Sequence, residues 1–265
     1  MEKLKQLREQ TGAGITDCKK ALDEANGDLE KAVEILRKKG ISKAAKRTGK
    51  EANEGIIKFV VSDDNTKAYM IEVNSETDFV ARNDKFQEFV NEVLEVIKNI
   101  EPKTIDDLML APMRESTVKE ELESLSGVIG EKLVINNFSI VSDKTVAGYL
   151  HMGGKLGILV ALDTEDKLEL ASEVAMHIAA SNPICISPEE VPSEKIEKEK
   201  EIYREQLKKE GKPAEIIEKI MVGKINKYFE EVCLNKQEYI KDEKLKIEEF
   251  LKDAKVTKFV RFSLS

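Results

Sequence analysis

The sequence predicts an α+β fold in which a small helical unit precedes a larger core of helices and antiparallel strands. Apolar residues recur at helical spacing over the first 40 residues, two later segments share the order strand, strand, helix and later strand, and a charged helical pair interrupts the second segment. A chain of 265 residues is long enough for about two domains with a hydrophobic core. The expected units are an N-terminal three-helix domain at 1–40, a linker at 41–54, a core N-terminal subdomain at 55–143, a core C-terminal subdomain at 144–186 and 228–265, and an inserted helical hairpin (a coiled coil) at 187–227.

The N-terminal unit is expected to be a compact bundle of three short helices. Thr16 or Asp17 is predicted to cap the second helix, because a side-chain oxygen at that place accepts a hydrogen bond from the first turn. Asp28 is predicted to cap the third helix in the same way, and Gly40 to end it.

A basic stretch follows this unit. Residues 37–50 contain seven basic side chains and no acidic one. The favoured interpretation is a solvated helix end followed by a flexible tether, since charge runs usually face solvent. The alternative is a basic patch that attracts an acidic partner surface or RNA phosphate.

The core begins with strands. We expect two strands at 56–61 and 67–73 and a later one at 132–140, with a helix between them that is capped by Asn83 or Asp84. The apolar residues of this helix form one stripe at helical spacing: Phe86, Phe89, Val90, Val93, Leu94 and Ile97.

The same order of elements recurs in the second half. Strands are predicted at 145–152, 155–162 and 256–263, with helices at 166–180 and 245–251. Each half is expected to place its helices on one face of an antiparallel sheet.

The segment 187–227 predicts two helices that project from the second half. Ser187–Glu190 fits a capping box with proline at the first helical position. Ile196, Tyr203 and Leu207 have the spacing for coiled-coil pairing with the second helix. The hairpin is either a simple decoration or an arm that docks onto another subunit or a partner.

Composition excludes several classes of protein. The net charge of −8 does not suit a general nucleic-acid binder. The longest purely apolar stretch has about six residues against the ~20 of a membrane span, and the charged N-terminus lacks the apolar core of a secretion signal. The three cysteines are far apart in the sequence, which argues against a disulfide framework or a zinc site and fits a reducing cytosol. We therefore expect a cytoplasmic protein with no membrane contact.

Two glycine-rich stretches resemble parts of nucleotide-binding motifs. A phosphate loop that contains Gly154 and Lys155 would need glycine in place of Tyr149 and serine or threonine in place of Leu156. A dinucleotide fingerprint that begins at residue 12 would need glycine in place of Asp17. Direct nucleotide binding is therefore not expected.

The inventory of catalytic residues is thin. His151 and His177 are the only histidines, and no convergent metal ligands accompany either of them. His177, within an apolar helix, is expected to be a packed or surface histidine. No Ser–His–Asp set stands out. The sequence therefore predicts no covalent catalysis, no metal and no cofactor.

The most unusual local feature is the stretch Thr77–Val80, which follows a strand directly and precedes the helical stripe. Periodicity favours a hydrophobic staple, in which Phe79 folds onto the start of the helix. The alternative is an aromatic anchor that enters a pocket of a partner.

Three stretches belong together as a pattern: Gln10–Leu22 (QTGAGITDCKKAL), Ala25–Asp28 (ANGD) and Glu72–Val80 (EVNSETDFV). This pattern resembles the bacterial translation elongation factor Ts family. The predicted element order is also similar over nearly the whole chain. The resemblance implies a UBA-like N-terminal domain and a guanine-nucleotide exchange factor for elongation factor Tu. Such a factor binds the GDP form of this GTPase, drives GDP out, and lets GTP enter the nucleotide-free form.

The resemblance also implies which residues touch the partner. The motif that intrudes near the partner's magnesium and phosphate-binding elements maps onto Thr77, Asp78, Phe79 and Val80. This moves the expectation for Phe79 from staple to anchor. Further contacts are implied at Cys18, Lys19, His151, Met152 and Gly153.

Two more expectations follow from the resemblance. The hairpin resembles the family's arm for dimerisation and partner contact, which implies self-association. Some members carry a C-terminal helical extension, and because this sequence stops after its last predicted strand we expect that contact to be absent. The residues alone also allow a non-catalytic scaffold or adaptor that recruits a partner through the N-terminal helical domain.

Overall fold

The computed structural model describes residues 2–11, 13–45 and 49–264. The N-terminal part is a bundle of three helices: α1 (Glu2–Thr11), α2 (Ile15–Glu24) and α3 (Leu29–Ala45). The bundle closes over a small apolar core whose fully buried residues include Leu7, Cys18 and Ala32.

The predicted cap of α3 is confirmed, and that of α2 is wrong. The Asp28 Oδ1 atom accepts a hydrogen bond of 3.2 Å from the backbone N–H of Lys31. The first hydrogen bond of α2 runs from Cys18 N to Gly14 O at 2.9 Å, so Gly14 is its cap residue. Thr16 and Asp17 therefore lie inside the first turn, where neither can cap the helix.

The first sheet contains β1 (Glu54–Val61), β2 (Lys67–Ser75) and β5 (Val134–Ser142), with β2 in the centre and all pairings antiparallel. Between β2 and β5 the chain forms α4 (Asp78–Ala81), α5 (Asp84–Ile100), α6 (Ile105–Leu110), the short pair β3 (Pro112–Met113) and β4 (Ser116–Thr117), and α7 (Val118–Ile129). The predicted apolar stripe of α5 is confirmed, because all six of its residues are buried against the sheet. Asn83, one of the two predicted caps, accepts hydrogen bonds from Lys85 N and Phe86 N.

The second sheet repeats this arrangement with β6 (Thr145–His151), β7 (Leu156–Leu162) and β10 (Val256–Ser263), again with the second strand in the centre. The remaining elements are α8 (Leu168–Ser181), α9 (Ser193–Lys209), α10 (Ala214–Val232), the pair β8 (Glu238–Tyr239) and β9 (Asp242–Lys246), and α11 (Ile247–Leu251). Both sheets thus have the order first, second and later strand, which confirms the predicted repeat of element order.

The two sheets pack face to face. Along β2 the side chains alternate, so that Tyr69 and Ile71 pack towards α5 while Ala68 and Met70 pack towards Leu159 of the second sheet. Each central strand is therefore covered on both sides, which explains the nearly continuous burial of β2 and β7. The α+β class with helices on one face of each sheet is confirmed.

The third helix does not end at Gly40 as predicted but continues to Ala45. Gly40 lies where α3 crosses α7, and a Cβ atom added to Gly127 would fall 2.1 Å from the Cα atom of Gly40. The two backbones touch there, so glycine at position 40 permits a close helix crossing and does not stop the helix.

Arg37, the first residue of the basic stretch, faces α7 and not only solvent. The Arg37 guanidinium lies 3.7 Å from a carboxylate oxygen of Glu120 and 3.6 Å from one of Glu121, both on α7. Within the predicted linker and basic stretch, residues 46–48 lie outside the described part of the chain.

The helical hairpin consists of α9 and α10, which share an apolar seam. Leu207 is buried there with residues of α10, and Ile196 and Tyr203 pack against the same cluster. The predicted pairing of these three residues with the second helix is confirmed.

The start of the hairpin differs from the prediction. Pro188–Glu190 forms a separate 3-10 turn, and α9 begins only at Ser193. The carbonyl of Pro192 accepts the first hydrogen bonds of α9, from Lys195 N at 2.9 Å and from Ile196 N at 3.3 Å. The capping box predicted at 187–190 therefore does not start the long helix.

His177 on α8 is completely buried, as a packed histidine. The side-chain amide of Gln237 donates to the carbonyl oxygens of Glu231 at 2.8 Å and Ser181 at 3.3 Å, so its Oε1 atom is left to accept from His177 Nε2 at 3.0 Å. The Nδ1 atom of His177 has no hydrogen-bond partner. Burial lowers the pKa of His177, and the hydrogen bond to Gln237 opposes that shift only in part.

We predict that Gly127→Ala destabilises the protein, by about 1–3 kcal/mol, because the added methyl group collides with the backbone of α3. The matched control is Gly223→Ala within α10, where a Cβ atom would meet nothing within 4 Å. That substitution should stabilise the hairpin by up to ~1 kcal/mol through helix propensity. Thermal unfolding of both variants checks the opposite signs, and a Gly127→Ala protein as stable as the wild type would refute the close crossing.

We also predict that His177 makes the protein less stable in mild acid. Because the folded-state pKa is lowered, the unfolded chain binds a proton below about pH 6.5 that the folded chain does not bind. The stability that depends on neutral His177 is therefore fully present above pH 6.5. It is lost as the pH falls towards the folded-state pKa, by at most ~1.4 kcal/mol per pH unit. Denaturant unfolding between pH 7.5 and 5 should show a shallower decline for His177→Asn, whereas parallel declines would contradict this assignment.

Candidate partner-binding surface

The stretch Thr77–Val80 lies at the single helical turn α4 (Asp78–Ala81), which follows shortly after β2 and has Thr77 as its cap residue. Adjacent residues of this turn point in different directions. Val80 is buried in the cluster that also holds Phe86 and Phe89, while Phe79 is 76% exposed. The staple interpretation of Phe79 is therefore wrong, because its ring does not cover the start of α5.

The entrance to this turn is held by Glu131, which follows α7. Its carboxylate accepts two hydrogen bonds from Thr77, one from the backbone N–H at 2.9 Å and one from the hydroxyl at 2.6 Å. The hydroxyl of Ser75 donates to the carbonyl of Thr77 at 2.8 Å. Thr77, two positions before Phe79, is thus held by three hydrogen bonds.

The exit from the turn is fixed as well. The backbone N–H groups of Arg82 and Asn83 donate to the carbonyls of Phe79 and Val80 at 3.2 Å and 2.9 Å. The side-chain amide of Gln87 donates to the carbonyl of Ala81. With both ends held, the exposed ring of Phe79 stands on a fixed backbone beside the half-buried Asp78.

The second predicted segment is the turn between β6 and β7. His151 and Met152 are exposed, and Met152, Gly153 and Gly154 all have positive φ angles. The imidazole of His151 stacks on the ring of Tyr149, with 3.1 Å between the Tyr149 hydroxyl and His151 Nδ1. This turn therefore presents one thioether and one imidazole to solvent.

The β6–β7 turn is attached to the beginning of β1. The carbonyl of Gly154 accepts a hydrogen bond of 2.7 Å from Ile57 N. A Cβ atom at Gly154 would lie 2.8 Å from the side chain of Ile56, so only glycine allows this approach. Lys155 adds an ion pair of 3.1 Å with Glu54.

The structure brings these two segments to one region. α4 packs on β1 and β2, and the β6–β7 turn packs on β1 through Gly154. Ile56 belongs to the same apolar cluster as Val80 and also touches Gly154. Phe79 and Met152, both exposed, therefore lie in two segments that meet the same end of β1.

Cys18 and Lys19, the two residues of α2 predicted to touch a partner, differ in exposure. Cys18 is completely buried, and its thiol donates to the carbonyl of Ala13 at 3.4 Å. The expectation that Cys18 touches a partner is corrected, because its side chain lies inside the three-helix core. Lys19 is exposed on α2 and is available for such a contact.

Glu131 is the residue of this surface that sequence reasoning missed. It lies 54 positions from Thr77 in the chain and belongs to no periodic pattern. Only the fold, which returns the end of α7 to the end of β2, makes it a neighbour.

Residues 2–11, 13–45 and 49–264 contain neither a candidate metal cluster nor a helix that could cross a membrane. Within these ranges, no three side chains of His, Cys, Asp or Glu come together in a way that could hold a metal ion. No helix in the same ranges has the length and apolar content to cross a membrane.

Comparisons with known proteins agree on one family. The sequence profile of the family described as Elongation factor TS matches residues 76–265. The chain is 46% identical to elongation factor Ts of a Nitratiruptor species, over 98% of this chain and 91% of the relative. It is 42% identical to elongation factor Ts of Halothermothrix orenii, over 100% of this chain and 91% of the relative. With elongation factor Ts of Prosthecochloris aestuarii the identity is 41%, over 98% and 96% of the two chains.

We predict that Phe79→Ala changes the free energy of unfolding by less than about 0.5 kcal/mol, because the ring is exposed in the free protein. The neighbouring Val80→Ala is the matched control and should cost roughly 2 kcal/mol through loss of buried contacts. Denaturant unfolding of the two variants measures both values. A loss of several kcal/mol in Phe79→Ala would show that the ring packs inside the protein.

Proposed function

Since this chain belongs to the elongation factor Ts family, we propose that it is a guanine-nucleotide exchange factor for elongation factor Tu, promoting GDP release and GTP entry during translation elongation. The observation that supports this most directly is the exposed ring of Phe79 on a backbone held at both ends. The protein would act in the cytoplasm and would form no covalent bond with its partner or with nucleotide.

The physical requirement for such a factor is a difference in affinity. A GTPase holds GDP through a phosphate cradle and a magnesium ion, which together offset the concentrated negative charge of the phosphates. The exchange factor must bind the nucleotide-free GTPase more tightly than the GDP form. By linkage, bound nucleotide then weakens the binding of the exchange factor to the same extent.

Phe79 suits the role of a wedge for two reasons. Its ring is already outside the core, so no apolar contact is lost when it enters a pocket of the partner. Its backbone is already ordered, so little conformational entropy is lost on binding. In our proposal the ring displaces partner side chains around the magnesium ion, while Asp78 lies beside it on the same turn.

The β6–β7 turn and the N-terminal domain would supply further contacts. Met152 offers a flexible apolar side chain near the same end of β1, with His151 and Gly153 beside it. Lys19 offers one charge on α2 for the rim of the interface. Self-association through α9 and α10 belongs to the proposal too, since Ile202 and Val222 of that hairpin are exposed.

We predict that Phe79→Ala slows factor-stimulated GDP release more than tenfold. An aromatic anchor at the centre of an interface often contributes ~2 kcal/mol or more, and that loss would fall on the transition state for exchange. The assay is stopped-flow release of fluorescently labelled GDP from elongation factor Tu, with and without this protein.

The matched control for this assay is Leu110→Ala on α6, which removes a similarly exposed apolar side chain (71% exposed) from a helix that packs on α7 and β5. Leu110→Ala should keep the wild-type rate. If the wild-type protein does not accelerate GDP release, the exchange proposal is wrong and an adaptor that only recruits a partner is favoured. If Phe79→Ala exchanges nucleotide at the wild-type rate, the role of Phe79 as a wedge is contradicted while the exchange activity stands.

A separate prediction concerns the protein without its partner. Isothermal calorimetry with GDP or GTP should show no binding at micromolar nucleotide, because Gly153 and Gly154 form the turn of a β-hairpin in which the N–H of Gly154 already donates to the carbonyl of His151 at 3.2 Å. A phosphate loop instead leads from a strand into a helix N-terminus. A measured micromolar Kd for GDP would contradict this.

A further inference from the structure

Two of the three cysteines are neighbours in the folded chain although they are 48 positions apart in the sequence. The Sγ atoms of Cys185 and Cys233 lie 3.5 Å from each other, and both thiols are free. The two residues face each other across an isolated parallel β-bridge, in which Leu234 N donates to Cys185 O at 2.9 Å. The sequence offered no signal for this pair.

The pair lies at the base of the helical hairpin. Cys185 is in the segment that leads towards α9, and Cys233 is the residue that directly follows α10. Both are part of a small apolar cluster with Val191, against which Ile196 of α9 and Phe229 of α10 also pack. A bond between the two sulfurs would therefore join the beginning and the end of the inserted hairpin.

We propose that Cys185 and Cys233 form an intramolecular disulfide when the protein is exposed to a peroxide, so that the hairpin base is a reversible oxidation site. This inference does not depend on the exchange activity proposed above. It rests on the distance between the sulfurs, on the bridge that aligns their backbones, and on their position at the two ends of one inserted segment.

The backbone geometry suits this bond. Neighbouring strands lie about 4.8 Å apart, and disulfides join residues whose Cα atoms are ~4.4–6.8 Å apart. The sulfurs need to approach by about 1.5 Å to reach bonding distance, which side-chain rotation supplies. The four backbone hydrogen bonds at the hairpin base, from Ile184 N, Cys185 N, Leu234 N and Asn235 N, can then stay in place.

The chemistry begins at Cys185, which is 9% exposed while Cys233 is completely buried. The Cys185 sulfur attacks one oxygen of hydrogen peroxide, the O–O bond breaks, and water leaves, which gives a sulfenic acid. The Cys233 sulfur then attacks the Cys185 sulfur, the S–S bond forms, and the hydroxyl leaves as a second water with the Cys233 proton. Two thiols are oxidised and one peroxide is reduced to two waters.

Burial makes the first step slow and proximity makes the second step fast. Burial raises the pKa of the Cys185 thiol, and burial together with the neighbouring Cys185 raises the pKa of the Cys233 thiol to about 12. Little thiolate is present at neutral pH, so the site responds to sustained peroxide and not to a brief exposure. Once the sulfenic acid exists, the fixed neighbouring sulfur captures it before further oxidation.

The test uses the full-length protein treated with hydrogen peroxide and then denatured in an alkylating reagent. Relative to untreated protein alkylated in the same way, the oxidised protein should carry one alkyl group in place of three, and a peptide map should join the peptides that contain Cys185 and Cys233. Cys18, which lies in the separate core of the three-helix bundle, should remain alkylated and serves as an internal control. Dithiothreitol should restore the reduced mass.

The mechanical consequence gives a second measurement. Closing the hairpin base should slow proteolytic cleavage within α9 and α10 by about tenfold or more, because the unfolded hairpin loses loop entropy. Cys185→Ala removes the bond and should show the same cleavage rate with and without peroxide. Sulfinic acid at Cys185 without a disulfide, a disulfide between two chains, or unchanged cleavage of the oxidised wild type would each overturn the proposal.

Discussion

The inner faces of the two sheets meet along Ile57, Met70 and Leu159, and this apolar contact determines where the exposed segments of the core lie. Both central strands are covered on two sides, so a shift of either strand by one residue would exchange its two buried faces. Hydrogen bonds join the sheets at both margins, from Ile57 N to Gly154 O and from Val146 N to Asn65 O, each at 2.7 Å. The register between the halves is therefore fixed by packing and by backbone pairing together. As a result, the end of β2 and the β6–β7 turn share one rim.

Polar groups at this rim hold the surface in place. Glu131 secures Thr77, and a bulge in β5 directs the amides of Asn136 and Asn137 to the buried carboxylate of Glu72, each at 2.9 Å. Such bonds bring modest net stability, but leaving a buried carboxylate without them is expensive. Exposed ion pairs elsewhere, such as that of Lys200 with Glu197, contribute little by comparison. The ordered part of the surface thus depends on a few hydrogen-bonded residues around β2.

Local patterns in the sequence were sufficient for most of the fold. The α5 stripe, both strand pairs and the seam of the hairpin follow from spacing, since each depends on which faces are apolar. Features created by contact between distant segments could not be predicted in this way. Gly40 resembles a helix stop until Gly127 lies against it, and Cys185 resembles an isolated cysteine until the hairpin closes. At the candidate surface, resemblance identified Phe79, while Glu131 and the burial of Cys18 became evident only in three dimensions.

The crossing of α3 and α7 has a consequence for synthesis on the ribosome. Gly127 follows Gly40 by roughly 90 residues, and a ribosome that adds ~5–20 residues per second needs several seconds to make them. During that interval the three-helix bundle has left the exit tunnel or is leaving it, while its docking helix does not yet exist. During this time the nascent bundle has only its own small apolar core, and the side of α3 that later meets α7 is uncovered. Docking is therefore a late event in the biogenesis of this protein, and it waits for translation of the first half of the core.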